Sequence, residues 1–253
     1  MKKLVIIPTY KEKENIQLII RAVYDLHADY HILVIDDASP DGTAEIVKSM
    51  QAEYADRLFL IQRAGKLGLG TAYITGFKFG LENGYDYMFE MDADFSHDPK
   101  DLERLLHACT HEGADMAIGS RYVKGGAFKN WPLSRKIISL TGSLYSRVLT
   151  FMPVMDPTAG FVCYSSKVLA SINLDAIKFV GYAFQIEMKF AAWHLGFKIK
   201  EIPIIFQDRE LGASKMSKGI IKEAAYGVIA LQLDYLTGKF IKQIRKLPNL
   251  SPR

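Results

Sequence analysis

The amino-acid sequence predicts an α/β protein with a mostly parallel central sheet flanked by helices, and three observations carry that reading. Short β-rich apolar runs alternate with amphipathic helical stretches from Leu4 to Gly119. The loops after the first, second and fourth runs are rich in Asp, Ser, Pro, Gly and Glu. The 253 residues are 49% hydrophobic and 24% charged, so one large domain has the apolar material for a core.

Leu4–Ile7 reads as a buried strand, and Asn15–Leu26 as a helix with Ile16, Ile19, Ile20, Val23 and Leu26 on one face. His31–Ile35 and Leu58–Gln62 are strands, separated by a helix over Gly42–Tyr54. A helix over Thr71–Asn83 leads to a strand over Tyr85–Met91, then a helix over Lys100–His111 and a strand over Asp115–Gly119. Helical crossovers of this length between strands imply parallel pairing. The second half is less regular: Leu133–Thr150 and Phe184–Leu195 read as helices, Thr158–Ser165 as extended, and Phe197–Phe206 as one strand. A long helix starts near Lys218. The expected division is one α/β domain over 1–217 and an amphipathic helix with a basic tail over 218–253.

Several functional classes lose support at once. Lys plus Arg exceed Asp plus Glu by 32 to 28, too small a balance to argue for a nucleic-acid partner. Cys109 and Cys163 make no disulfide framework and match no metal-ligand spacing, and they read as buried free thiols. Met1–Pro8 is too short an apolar run for a signal peptide. The uncharged run Ala224–Leu233 is half the length of a membrane span. The expected location is the cytoplasm. Gly65-Lys66-Leu67-Gly68-Leu69-Gly70 fits neither the dinucleotide fingerprint nor the P-loop, so dehydrogenase and ATPase readings lose their main support.

The chemistry collects at strand ends, where open parallel sheets bind ligands. Asp92-Ala93-Asp94 leaves the fourth strand, and two carboxylates two residues apart repel each other unless a cation lies between them. Oxygen ligands of this kind suit Mg²⁺ or Mn²⁺ shared with a diphosphate. Lys66, Arg121, Arg135, Arg209 and Lys215 are the candidate cations for those phosphates, and Arg209–Lys215 reads as a lid. His97 reads as the start of the following helix, and His107 and His111 as an exposed helix face.

Five motifs occur in order: Pro8-Thr9-Tyr10-x-Glu12-x-x-Asn15, Asp36-Asp37-x-Ser39-x-Asp41-Gly42-Thr43, Met91-Asp92-Ala93-Asp94-x-Ser96-His97-x-Pro99, Gly119-Ser120-Arg121-Tyr122, and Arg209-x-x-Gly212-x-Ser214-Lys215. Together they resemble the family 2 glycosyltransferases of the GT-A fold, and within them the dolichyl- or polyprenyl-phosphate mannose synthases. The resemblance implies that Pro8, Tyr10, Glu12, Ile35 and Asp37 hold the nucleoside of a sugar donor. It implies that Asp92 and Asp94 reach a divalent metal, with Ala93 beside the donor. Arg121, Arg209 and Lys215 would bind phosphates, and Arg135 the acceptor phosphate. Asp156–Phe161 resembles the segment lining the acceptor side. Two departures stand out: Ser96 where some relatives offer a stronger third metal ligand, and Val162 where the family often has a basic residue.

The implied reaction is metal-dependent, inverting transfer of mannose from GDP-mannose to a polyprenyl phosphate. A phosphate monoester is largely ionised at neutral pH, so no strong general base is needed. Other readings stay open: a UDP-glucose or UDP-N-acetylhexosamine transferase, a nucleotidyltransferase, and a non-catalytic nucleotide-sugar sensor. A lipid acceptor also requires membrane access. The apolar, basic-bordered stretches Ile137–Met155 and Ile220–Leu233 suit a peripheral membrane surface or a membrane-protein partner, and the C-terminal helix equally suits packing on the domain or on another subunit.

Overall fold

In a computed structural model of the chain, residues 1–27, 29–209, 211 and 218–246 are described. The strands are β1 (Lys3–Thr9), β2 (Tyr30–Asp36), β3 (Leu58–Gln62), β4 (Tyr87–Glu90), β5 (Met116–Ser120), β6 (Ala127–Lys129), β7 (Val162–Ser165), β8 (Ile199–Pro203) and β9 (Ile205–Gln207). The helices are α1 (Ile16–Tyr24), α2 (Thr43–Gln51), α3 (Leu69–Glu82), α4 (Asp101–Thr110), α5 (Leu133–Thr150), α6 (Ser166–Ser171), α7 (Tyr182–His194), α8 (Lys218–Leu236) and α9 (Lys239–Ile244). Seven strands form one sheet in the order β3-β2-β1-β4-β7-β5-β8. All neighbours are parallel except β7, which runs antiparallel to both β4 and β5.

Each inner strand is apolar on both faces because helices cover both sides. In β1, Leu4 and Ile6 enter one buried cluster while Val5 and Ile7 enter the other. β2 alternates likewise, with Leu33 and Ile35 on the first side and Ile32 and Val34 on the second. The first cluster includes residues of α3, α7, α8 and α9; the second includes residues of α1, α2 and α4. Val228, Leu231, Phe240 and Ile244 are buried in the first cluster, so residues from α8 and α9 belong to the main core. Among the described residues, no helix is long and apolar enough to cross a membrane.

Two expectations need correction. The run Phe197–Phe206 is not one strand: β8 pairs with β5, and β9 pairs with β6 in a separate two-stranded sheet. Pro203 lacks an N–H and closes the first ladder. Ile204 then bridges the two sheets, donating its N–H to Ser120 O at 3.0 Å and accepting from Ala127 N at 3.0 Å. Similarly, only Val162–Ser165 of the run Thr158–Ser165 is a strand. The preceding residues form a turn around Asp156, held by side-chain bonds described below.

Candidate active site

β1, β2 and β4 are parallel neighbours, so the residues after them emerge on one edge. Thr9 lies opposite Asp36, and Ile6 opposite Glu90, which sets Asp92 close to the level of Pro8. Asp36 ties the first two loops together. It accepts from Thr9 Oγ1 at 2.9 Å, Ser39 N at 2.9 Å and Ser39 Oγ at 2.5 Å. Lys11 N then donates to Ser39 Oγ, Glu12 N to Thr43 Oγ1, and Lys13 N to Asp41. Lys11, Ala38 and Phe95 sit at φ 56°, 53° and 59°, so each of the three loops carries a non-glycine residue in the left-handed region. Such residues persist where surrounding bonds over-determine them, and they cluster at functional sites.

The Asp92–Asp94 pair lies at the centre of this edge. Asp94 is buried and accepts from Ser96 N at 3.0 Å. Arg209 Nη2 donates to Asp94 Oδ2, and its Nη1 lies 3.9 Å from Glu12 Oε1. Glu12 is fixed in turn by Asn15 Nδ2, which donates to Oε2 at 3.0 Å. Burial, and next the Asp94 charge, push the Asp92 carboxyl well above the usual carboxylate range, while Arg209 opposes them. Two carboxylates held together at this cost form a donor set that fits a hard divalent cation. No group of three or more His, Cys, Asp or Glu side chains among the described residues could hold a metal alone. The pair therefore suits an ion completed by substrate oxygens, with Asp92 and Asp94 as its protein ligands.

Of the other expected residues, Pro8, Tyr10, Ile35, Asp37 and Lys66 lie along the same sheet edge. Pro8 and Ile35 face each other across β1 and β2, and Ala93 is buried between the carboxylates. Tyr10 presents its ring to Lys66 Nζ at 5.0 Å and to Lys11 Nζ at 5.6 Å, giving a cationic aromatic platform beside Glu12. Asp37 is held by a residue that sequence reasoning missed. Arg63 Nε donates to Asp37 Oδ1 at 2.6 Å, while its other nitrogens bond Thr71 Oγ1 and Gly68 O. The available signal was position: Arg63 directly follows β3, on the same sheet edge as Asp37.

Arg121 is engaged with the Asp156 turn. Its Nε and Nη2 donate to the two oxygens of Asp156 at 2.7 and 2.6 Å, and Nη2 also donates to Thr158 Oγ1 at 2.8 Å. Here it pins the turn that resembles an acceptor-lining segment, because a buried carboxylate demands its charge. Arg135 lies 4.3 Å above the Trp131 ring and donates to Asp208 at 2.8 Å, one residue from Arg209. Lys215 lies outside the described residues, as do Gly212 and Ser214. His97 is buried, stacked 4.7 Å from Phe161, and accepts from Asp92 N at 3.3 Å. Burial lowers its pKa to about 4, consistent with a neutral ring packed under the loop. Cys109 and Cys163 are free and buried.

The chain is similar to known proteins. The sequence model for glycosyl transferase family 2 matches residues 4–172, a span containing the first four motifs. The chain belongs to this family. It is 48% identical over 227 residues to polyprenol monophosphomannose synthase of Mycolicibacterium smegmatis, covering 90% of this chain and 85% of that protein. It is 49% identical over 228 residues to undecaprenyl-phosphate mannosyltransferase of Micrococcus luteus, covering 90% and 93%. Among solved structures it resembles glucosyl-3-phosphoglycerate synthase from Mycobacterium tuberculosis, in complex with Mn²⁺, UDP and glucosyl-3-phosphoglycerate, with a TM-score of 0.63. That likeness covers 94% of this chain and 80% of the other at 19% identity, so it establishes the shared GT-A-like fold alone.

Proposed function

We infer that this protein transfers mannose from GDP-mannose to the phosphate of a polyprenyl phosphate, with inversion at the anomeric carbon. The observation that carries the reaction class is the Asp92–Asp94 pair, held beside Arg209 and Glu12 where three parallel strands end. The choice of mannose and polyprenyl phosphate is supported by the two relatives that share nearly half their residues with this chain.

Mg²⁺ or Mn²⁺, when bound, supplies a Lewis acid that screens the diphosphate and its departure. The protein's own groups do the rest. Tyr10, Glu12 and Asp37 line the side of the edge assigned to the nucleoside, and Lys66 and Lys11 border it with positive charge. Arg209 is paired with Asp94 and close to Glu12. A diphosphate placed there competes for the guanidinium, and Lys215, six residues further along the sequence, is the second cation. The ionised acceptor phosphate needs no proton removed, so the work is positioning and charge screening. Arg135 serves the acceptor phosphate, and Arg121 holds the Asp156 turn beside it.

The acceptor is a lipid, and the protein offers a surface for its membrane. α5 is turned inside out: it buries Ser143, Ser146 and Thr150 and exposes Ile137, Ile138, Leu140, Leu144 and Val148. The reading is therefore a peripheral enzyme that meets the bilayer through α5 and the outer face of α8.

The test is transfer of label from GDP-mannose and UDP-glucose, in parallel, to a short polyprenyl phosphate with Mg²⁺ or Mn²⁺. Metal-dependent label from GDP-mannose alone is expected, abolished by a chelator and reduced at least about 100-fold in Asp94→Ala, the scale of losing a main electrostatic catalytic group. Label from UDP-glucose alone would replace the sugar. Metal-dependent nucleotide binding without any transfer would leave a sensor.

A further inference from the structure

Beneath the active-site edge lies a chain of buried polar groups that the reaction above does not use. Lys189, on α7, is completely buried. Its Nζ donates to Ala159 O at 2.7 Å, Gln185 Oε1 at 3.0 Å and Gln185 O at 3.2 Å. Gln185 Nε2 donates to Glu90 Oε2 at 2.7 Å, and Tyr164 OH to Glu90 Oε1 at 3.3 Å. Glu90 is the last residue of β4, two before Asp92, and Ala159 belongs to the turn that Arg121 grips through Asp156.

A buried ammonium and a buried carboxylate are costly to desolvate, and a well-packed apolar pair of similar volume is often as stable or more so. Stability alone therefore does not account for this arrangement. What the chain of bonds does is link the Ala159 turn to the end of β4 through two side chains of one helix, Lys189 reaching Ala159 O and Gln185 reaching Glu90. We propose that Lys189 is a positioning residue that sets the Ala159–Gly160 turn relative to the end of β4, and so fixes the acceptor side against the donor side. Gln185 completes the link: its amide nitrogen, bonded to Glu90, also lies directly beneath Gly160, 3.7 Å from where a Cβ would stand. Burial lowers the Lys189 pKa to about 8, with the Glu90 charge acting against that fall. The proposal rests on the reading of the Asp156–Phe161 turn as the acceptor side.

The test separates fold from position. Lys189→Met alone leaves the Glu90 carboxylate without its cation, and its lower Tm is expected whatever the role. The informative protein is Glu90→Gln with Lys189→Met, which removes both charges and keeps an acceptor for Gln185. Its Tm is expected to recover most of the loss. Its metal-dependent GDP-mannose Kd is expected to match wild type, while the KM for a short polyprenyl phosphate rises about tenfold, equivalent to ~1.4 kcal/mol. Recovery of the acceptor KM together with Tm would overturn the proposal, as would a parallel loss of donor affinity. Should the double variant not fold, Gln185→Met breaks the link while leaving the Lys189 bond to Ala159. A raised acceptor KM with unchanged donor Kd supports the link, and an unchanged acceptor KM overturns it. Failure of the underlying reading shows up separately, as wild-type protein that transfers nothing to the lipid phosphate.

Discussion

Arg121 and Asp156 show how one ion pair holds a turn in place. Asp156 is completely buried and takes three hydrogen bonds from Arg121, including one from its backbone N–H. Glu201 holds the same turn from the other side, accepting from the Met155 and Asp156 amides at 2.7 and 2.9 Å. Deleting one partner strands the other charge, so Asp156→Ala is expected to cost about 3–5 kcal/mol. Arg121→Met with Asp156→Ala should cost less than Asp156→Ala alone, as urea denaturation will report. Equal losses would mean that the pair is not the cause. Sequence reading found these residues but not their pairing, since 35 positions separate them and nothing local signals the match. The strand-end carboxylates were legible because the turns follow parallel strands directly. The Glu90–Gln185–Lys189 chain was not, because charged residues in a β-rich run and a helix look like solvated positions until both are found buried.

At the scale of elements, the glycine-rich segment before α3 finds its explanation in packing. Gly68 has φ +99°, a conformation that disfavours a side chain, and a Cβ on Gly70 would stand 2.8 Å from both Phe179 O and the Phe184 ring. Gly70 N donates to Val180 O at 2.8 Å, so the start of α3 is held tight against the segment leading into α7. Gly70→Ala is expected to destabilise by about 1–3 kcal/mol, the scale of overpacking. Gly65→Ala, with open space around its Cβ and no positive φ, should be tolerated. A thermal melt of each distinguishes packing from any sequence-wide need for flexibility. The alternation of strands and helices over the first half was readable because both faces of the sheet are covered and the periodicity is undisturbed. The break at Ile204 was not, since β8 and β9 continue one apolar pattern and only tertiary pairing shows that they serve two sheets.

α7 also carries a titration that stability measurements can follow. Glu187 is buried, accepts from Lys178 N at 2.9 Å and Phe179 N at 3.1 Å, and has its pKa raised to about 7, mainly by burial. Lys178, which is itself paired with Asp234, pulls that value down, and Asp234 pushes it up. The folded state thus binds this proton more tightly than the unfolded chain, whose carboxyl titrates near ~4.3. The contribution is fully present below the unfolded pKa and is lost as pH rises toward about 7. Glu187→Gln keeps an acceptor for both amides and never ionises. Its Tm relative to wild type should therefore be higher at pH 8 than at pH 5. A difference that does not change with pH would remove Glu187 from the explanation.

For the whole molecule, the telling feature is the direction α5 faces. Surface helices of soluble domains turn their apolar stripe to the core. α5 instead packs Ser143, Ser146 and Thr150 inward and leaves Ile137 at 53%, Leu144 at 53% and Val148 at 60% exposure. The same surface continues onto α8, where Tyr226, Leu233 and Leu236 are exposed and Tyr145 OH bonds Ala225 O at 2.8 Å. Apolar area of this extent, with Lys136 beside it on α5 and the exposed Lys239 just after α8, suits a bilayer interface with anionic headgroups. Burying it there is favourable by roughly 25 cal/mol per Å² of apolar surface, with basic residues adding attraction that salt weakens. Wild-type protein is therefore expected to co-sediment with vesicles containing anionic lipid. A variant carrying Ile137→Ser, Leu144→Ser and Leu233→Ser should lose that binding with little change in Tm, because these side chains contribute little to the core. Its transfer to a polyprenyl phosphate embedded in vesicles should fall, while transfer to a short acceptor in detergent-free solution stays near wild type. Concentration-dependent dimerisation that the same three substitutions abolish, with vesicle binding unchanged, would instead make this face a contact between two copies of the chain.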